Sequence, residues 1–375
     1  MTTLTGLALL IWLYLLLAHG RFWQSGPHLV PARPVQSPSV AIIVPARDEA
    51  PVIGATLRSL LAQDYAGPLR IILVDDGSTD RTAAIARTME GSERGRSLTI
   101  LDGQPRPAGW SGKLWAIAQG VAETGDAELI LLTDADIVHD RQHVATLVAQ
   151  AELGDFDLVS EMVTLNCQSW AERALVPAFV FFFQLLYPFA WVNDPLRATA
   201  AAAGGTILLR RRALTRIGGV DAVRGALIDD VALAAAVKRG GRIWLGHSTQ
   251  ARSVRPYPGL VDIWRMVART AYVQLHFSPI LLAATILAMG LTFLVPPYAA
   301  LCVPGLPRWL GWLAWGAMAA AYHPTLHRFQ RSPFWAPALP AVAAFYLAAT
   351  IGSAVNHYAG HGVTWKGRAY QGAGT

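Results

Sequence analysis

From Ser39 to about Asp157 the chain alternates between two kinds of apolar run. SVAIIVPA, LRIILVDD, SLTILD and AELILLTDAD are short and strand-like, whereas APVIGATLRSLLAQ, DRTAAIARTM and KLWAIAQGVAET between them have helical spacing. Such alternation predicts an α/β fold: a mostly parallel sheet with helices on both faces, because a strand that returns parallel to its neighbour needs a crossover. The run Leu129 to Leu132 is wholly apolar, which suits the sheet centre, and after Thr133 come Asp134 and Asp136 with one residue between them. Ligands of open α/β sheets bind beyond the carboxyl ends of the strands. Pro45 to Glu49 (PARDE), Asp75 to Asp80 (DDGSTD) and Asp134 to Asp136 (DAD) are therefore expected to meet along one edge, where a nucleotide would lie.

In an extended segment Asp134 and Asp136 point to the same side, so they can share a hard cation, Mg2+ or Mn2+, which in turn holds a diphosphate. Alone, such a pair also serves to cap the following helix; the further acidic clusters favour the ligand reading. In Asp75-Asp76-Gly77 the glycine can take a positive φ and Ser78 or Thr79 can cap the next helix, leaving one acid to accept from a base N–H or ribose hydroxyl. No GxGxxG follows these strands, which counts against a dinucleotide-dependent dehydrogenase. Gly109 to Lys113 (GWSGK) opens a helix and offers backbone N–H groups and the Lys113 ammonium to a phosphate or sugar hydroxyl, without Walker spacing.

Further on, Ala203-Gly204-Gly205 leads into TILLRR, and Gly225 to Asp230 (GALIDD) leads into a helix-like run. An unchelated carboxylate beside a metal suits the base that takes a proton from an attacking hydroxyl; Asp230 is the choice, with Asp229 as cap or support. The bland alternative is an acid pair at a helix start. Arg265 and Arg269 lie one turn apart on an amphipathic stretch, and neutralising a leaving diphosphate or binding lipid phosphate suit them equally.

Membrane association follows from a content of 53% hydrophobic against 15% charged residues, apolar for a soluble protein. The formal charge of +6 lies largely on arginines near apolar segments, which suits anionic lipid and phosphorylated substrates rather than nucleic acid. Cys167 and Cys302 have neither disulfide nor zinc spacing. Leu4 to Ala18 reads as an uncleaved anchor, since Arg21 and Arg33 follow it and no basic residue precedes it; the next domain is then cytoplasmic. The expected organisation is an anchor over 1–20, a stiff Pro-rich linker over 21–38, a catalytic domain over 39–277, membrane segments over 278–358 and a tail over 359–375. The apolar stretch 175–192 is assigned to an interfacial helix, because a crossing there would separate Asp134 from Asp230. Runs near 279–295, 309–322 and 335–355 are candidate spans in a multi-pass inner-membrane protein. Three crossings after the anchor put Trp365 to Arg368 outside, against their charge, unless the middle run is re-entrant; both topologies stay open.

Taken together, IIVPARDE, VDDGSTD, GK, TDAD, GG and DD resemble the family 2 glycosyltransferases of the GT-A fold, in that family's order across Ser39 to Gly241. The resemblance implies that Pro45, Arg47, Glu49 and Asp75 or Asp76 hold the nucleotide, Asp134 and Asp136 the metal and diphosphate, and that Asp230 is the base. Where the family often has Q-x-x-R-W this chain reads Met266-Val-Ala-Arg269-Thr270, a departure that argues against a processive, polymer-making enzyme. More narrowly, GWSGKLWA, LLTDADIVHD, PAFVFFFQLLYPFAWVND, GALIDDVAL, RIWLG and WKGRAY are similar to the hopene-associated glycosyltransferases of the HpnB type. That likeness implies inverting transfer from a nucleotide-sugar, with uridine the family expectation, to a hopanoid or related lipid hydroxyl. Ceramide-type enzymes share the plan, and polyprenyl phosphate is an alternative acceptor. A non-catalytic membrane scaffold fits less well, because the acids cluster outside the apolar runs.

Overall fold

The computed structural model describes residues 1–93, 95–360 and two short terminal strands, Thr364–Trp365 and Arg368–Ala369. Lys366, Gly367 and Tyr370 of the terminal WKGRAY lie outside the described residues, as does the question of which side that end occupies. Two compact units share the chain: Met1–Gly26, Cys167–Ala190 and the stretch that starts at Pro256 form one; Pro27–Asn166 and Trp191–Arg255 build the other.

The second unit is built on a sheet of nine strands: β1 (Val40–Ala46), β2 (Leu69–Asp75), β3 (Gly91–Glu93), β4 (Arg96–Asp102), β5 (Leu129–Thr133), β6 (Ile137–His139), β7 (Leu158–Thr164), β8 (Thr206–Arg210) and β9 (Ile243–Ser253). Their order is β3-β4-β2-β1-β5-β8-β7-β9-β6. β4, β2, β1 and β5 run parallel, as the alternation predicts. Beyond β5 the direction changes: β8 is antiparallel to β5 and β7, β9 is parallel to β7, and β6 is antiparallel to β9. The sheet is therefore mixed rather than mostly parallel. TILLRR was legible as a strand, but an apolar run carries no direction, and β8 enters from the edge at which β5 ends, pairing Thr206 with Thr133.

Every residue of β1 and β5 is buried, and Ile53, Leu57 and Leu60 of the helix Ile53–Leu61 are fully covered. Each such side chain contributes about 1.5–3 kcal/mol of burial. The helix Gly112–Ala122 lies so close to the sheet that a Cβ on Gly120 would stand 2.6 Å from Ile43 Cγ2. That close approach fixes where the start of this helix, and with it Lys113, is held. The linker is partly ordered by pairing: Leu29 is buried, its N–H donates to the His247 carbonyl (2.7 Å), and the His247 N–H donates to Pro27 (2.8 Å).

The first unit is helical, with Thr2–Leu17, Trp170–Leu186, Leu260–Ala268, Leu306–Arg328 and two longer apolar helical stretches. Those two, Pro279–Cys302 (24 residues) and Pro333–Tyr358 (26 residues), are long and apolar enough to cross a membrane by length and composition. Helices of that kind thus occur in the C-terminal part and not at both ends: Thr2–Leu17 has 16 residues, short of the roughly 20 needed. The expected middle span lies within Leu306–Arg328, whose apolar sequence is interrupted by Arg308, His323, His327 and Arg328. The stretch expected at the interface is instead largely buried within this unit, where Val176, Phe181 and Gln184 of Trp170–Leu186 are covered and Gln184 Nε2 donates to the Phe22 carbonyl (3.2 Å). The boundary before the C-terminal helices falls at 255/256, ahead of the expected 277/278. Within Pro279–Cys302 the turn Gly290–Leu294 is π-helical. Pro296 has no N–H to give the Thr292 carbonyl, and the buried Trp12 indole N–H donates there instead (2.8 Å).

Candidate active site

In-register pairing of β1 with β2 (Ala46 opposite Asp75) brings PARDE and DDGSTD to one level at the carboxyl edge. The two loops are stitched together. Asp48 N–H donates to Ser78 Oγ (3.0 Å), Thr79 N–H to Asp48 Oδ1 (2.7 Å), Glu49 N–H to Thr82 Oγ1 (2.7 Å) and Ala50 N–H to Asp80 Oδ2 (3.0 Å). Gly77 has the positive φ expected of the turn (64°). The helix that follows is Thr82–Arg87, and Asp80, rather than Ser78 or Thr79, accepts the Thr82 N–H (2.9 Å). Asp75 is used inside the turn, where its carboxylate accepts from the Ser78 hydroxyl and N–H. Asp76, buried, pairs with Arg47 Nη1 at 3.8 Å, and Arg47 also donates to the Asp76 and Gly77 carbonyls.

Beyond β5 the chain turns, with the Ile137 N–H donating to the Asp134 carbonyl (3.3 Å), so Asp134 to Asp136 is not the extended segment expected. The two carboxylates meet different cations. Asp134 Oδ1 lies 2.8 Å from Lys113 Nζ, while Asp136 Oδ2 accepts from Arg255 Nε (2.8 Å) and Ser253 Oγ (3.1 Å). Arg255 continues to Glu49, donating from Nη2 to both carboxylate oxygens (2.7 and 2.8 Å), and so joins the β1 loop to the β5 loop. Sequence reading passed over Arg255: it follows a strand whose end was not placed, and nothing in one dimension sets it beside residues 49 and 136.

Lys113 sits at the start of its helix, which Ser111 caps by accepting the Leu114 N–H (3.3 Å). Its ammonium also lies 3.3 Å from Asp229 Oδ2. Burial works against that charge, but Asp134, Asp229 and Asp230 outweigh it and raise the Lys113 pKa. Asp230 Oδ2 accepts the Gly204 N–H (2.8 Å) and Oδ1 its neighbour's, Val231 (2.8 Å). Burial, then the charge of Asp229, pushes the Asp230 carboxyl up to about 7, against the pull of Lys113. Asp134 is raised too, mainly by burial and further by Asp136, with Lys113 opposing. A Cβ on Gly204 would stand 3.2 Å from Asp230 Oδ2 and 3.4 Å from Lys113 Nζ, so only glycine leaves this cradle open. Pro45, Lys113, Asp134, Gly204, Asp229 and Asp230 line one cleft. Arg265 and Arg269 belong to the other unit, on and just after Leu260–Ala268.

The donor chemistry fits a divalent cation. Three carboxylates (Asp134, Asp229, Asp230) face one ammonium, so negative charge is in excess, and all donors are hard oxygens. Among the described residues no three His, Cys, Asp or Glu side chains form a cage by themselves. Magnesium commonly takes one or two carboxylates and completes its shell with water and substrate phosphate, so this is the donor set expected of it.

Residues 41–218 match the model of glycosyl transferase family 2. The matched segment contains Pro45, Lys113, Asp134 and Gly204, while Asp229, Asp230 and Arg255 lie just beyond it. A dodecaprenyl-phosphate galacturonate synthase of Rhizobium johnstonii is 33% identical over 128 residues, 34% of this chain and 36% of that protein. A 4,4'-diaponeurosporenoate glycosyltransferase of Staphylococcus aureus is 37% identical over 125 residues, 32% of this chain and 31% of that one. The chain thus spans about a third of the length of these curated relatives. A mannosyltransferase from Pyrobaculum calidifontis, solved with GDP-Man and Mn2+, superposes with a TM-score of 0.54 at 21% identity, covering 94% of this chain and 96% of that one. This likeness shows the fold alone, a GT-A-like α/β fold with a mixed sheet and helices.

Proposed function

We propose that the chain is an inverting, metal-assisted glycosyltransferase that moves a sugar from a nucleotide-sugar, a UDP-sugar by family expectation, to a lipid hydroxyl at the cytoplasmic face of the inner membrane. The observation that carries this reading is the convergence of Lys113, Asp134, Asp229 and Asp230 on one cleft beside Gly204. Arg47, Asp75 and Asp76, with Pro45 and Glu49, form the nucleotide end. A divalent cation held at Asp134, the member of the Asp134–Asp136 pair that lines the cleft while Asp136 is tied to Arg255, would offset charge on the departing diphosphate. Lys113 supplies a second positive charge there, and Arg265 and Arg269 a third source, for diphosphate or for lipid phosphate. As the acceptor oxygen bonds to the anomeric carbon and the bond to the diphosphate breaks, Asp230 takes the hydroxyl proton; a pKa near 7 suits that task at neutral pH.

A lipid acceptor is supported by the relatives named for dodecaprenyl phosphate and 4,4'-diaponeurosporenoate, and by the two apolar helices of crossing length. The hopanoid class rests on the sequence motifs. A second reading, transfer to polyprenyl phosphate, is favoured by the first of those relatives. A phosphate oxygen is already ionised and needs no base, so Asp230 separates the two. We expect detergent-purified protein with Mn2+ or Mg2+ to release nucleoside diphosphate from one of a panel of UDP-sugars only when a hopanoid extract is present, and Asp230→Asn to abolish the release. Release that persists in Asp230→Asn with polyprenyl phosphate supports the second reading, and no release with any donor defeats both.

A further inference from the structure

Beneath the cleft lies a chain of buried polar side chains that the proposed mechanism does not use. Thr133, His139, His143 and Glu161 are at most 4% exposed, and they stand on β5, β6, the helix His143–Leu153 and β7. They are linked in series. Thr133 Oγ1 is 3.1 Å from His139 Nε2, His139 Nδ1 is 2.8 Å from His143 Nδ1, and His143 Nε2 is 2.5 Å from Glu161 Oε1. At the other end Thr133 Oγ1 donates to the Gly205 carbonyl (2.9 Å), which also accepts the Asp134 N–H (3.3 Å).

The direction of the bonds from Thr133 to His143 follows from that carbonyl. A carbonyl only accepts, so the single Thr133 proton is committed to Gly205, and the hydroxyl must accept from His139 Nε2–H. A neutral His139 then has a bare Nδ1, which obliges His143 to donate from Nδ1–H. Burial, and secondarily His143, keeps His139 far below the usual imidazole pKa, consistent with the neutral ring. The Glu161 carboxyl bonds the remaining nitrogen of His143 and fixes that ring. Among the described residues its second oxygen, Oε2, is buried without a partner, so Glu161 is committed to His143 alone.

An acid and two imidazoles buried beside a central sheet are costly to keep, and an apolar set of the same shape would fill the space more cheaply. What distinguishes this set is where it ends. We propose that Glu161, His143, His139 and Thr133 are positioning residues: a hydrogen-bond relay, directed from His143 to the Gly205 carbonyl and anchored by Glu161, that holds the Gly204–Gly205 segment so that Gly204 N–H meets Asp230 and Asp134 stays on Lys113. The opposite side of the same loop is held by Ser160, whose Oγ accepts the Ala203 N–H (2.9 Å). The relay thus joins two of the three acids of the cleft, Asp134 and Asp230, through one backbone segment, with no contact to a substrate.

Two measurements on the full-length protein in detergent test this. Labelling the imidazole rings with 15N reads their protons by NMR: His139 is expected as the Nε2–H tautomer and His143 with a proton on Nδ1. A proton on Nδ1 of His139 overturns the proposal whatever the activity. In the second measurement Thr133→Val removes the hydroxyl at nearly constant volume. We expect kcat to fall about ten- to a hundredfold while affinity for UDP with Mn2+, by calorimetry, changes less than about threefold; Thr133→Ser recovers most of the loss. Undiminished kcat in Thr133→Val, or no recovery in Thr133→Ser, refutes the relay. The kinetic arm rests on the proposed transfer reaction. Wild-type protein that neither binds UDP nor releases it defeats that reaction, and the ring tautomers then decide the relay by themselves.

Discussion

Replacing Asp230 by Asn is expected to stabilise the protein at pH 8 while abolishing transfer. Raising this carboxyl from 3.8 to about 7 makes its ionised form about 4 kcal/mol less favourable in the folded than in the unfolded chain. Water reaching the half-buried side chain screens part of this, and the amide surrenders one of the bonds from Gly204 and Val231, worth about 1–1.5 kcal/mol. About 2 kcal/mol of net stabilisation remains. The sign with pH follows from proton binding: between about 4 and 7 the folded state holds a proton that the unfolded state has lost, so wild-type stability falls as pH rises through that window and levels above it. The advantage of Asp230→Asn should therefore be present at pH 8, a rise of a few degrees in melting temperature, and absent at pH 4.5. Thermal unfolding in detergent with EDTA is the assay, since a bound cation would hold the carboxylate ionised. A variant no more stable than wild type at pH 8, or equally stabilised at both pH values, refutes the reasoning.

Arg255→Leu leaves Glu49 and Asp136, 6% and 7% exposed, without the cation they share. A loss of about 3–5 kcal/mol in denaturant unfolding at pH 7 is expected, and Arg255→Lys should recover only part of it because an ammonium lacks the guanidinium fork. In Gly204→Ala the new methyl stands 3.2 Å from Asp230 Oδ2 and must displace it by a few tenths of an ångström. Steady-state kinetics should show kcat reduced about tenfold with the melting temperature nearly unchanged; full kcat would remove Gly204 from the site.

Strand identity at the centre of the sheet was legible because a strand buried on both faces has to be apolar over most of its length, as in Leu129–Leu132. Strand direction was not, since β8 reads the same either way along the pleat. Pro45, Lys113, Asp134 and Asp230 were found from residue type at strand and helix ends, and they do line one cleft. Arg255 and the relay were missed for a common reason. Arg255 meets a glutamate 206 positions away, and Glu161, set in an apolar strand, meets a histidine 18 positions back, where a sequence gives no sign that they touch. For the apolar stretch near 175–192 composition does not decide, because a helix buried among helices has the same composition as one at a lipid interface.

The bond from the Trp12 indole to the Thr292 carbonyl spans 280 residues. At roughly 5–20 residues per second a ribosome needs about 14–56 s to cover that distance. For all that time the helix Thr2–Leu17, with Leu4, Leu7, Leu10 and Leu13 facing outward in the finished protein, has none of its later helical neighbours and an indole N–H still to be paired. Thr2–Leu17 is thus completed only long after it is made, and a nascent chain halted before the Pro296 turn holds an apolar helix that a lipid layer or a chaperone has to shelter.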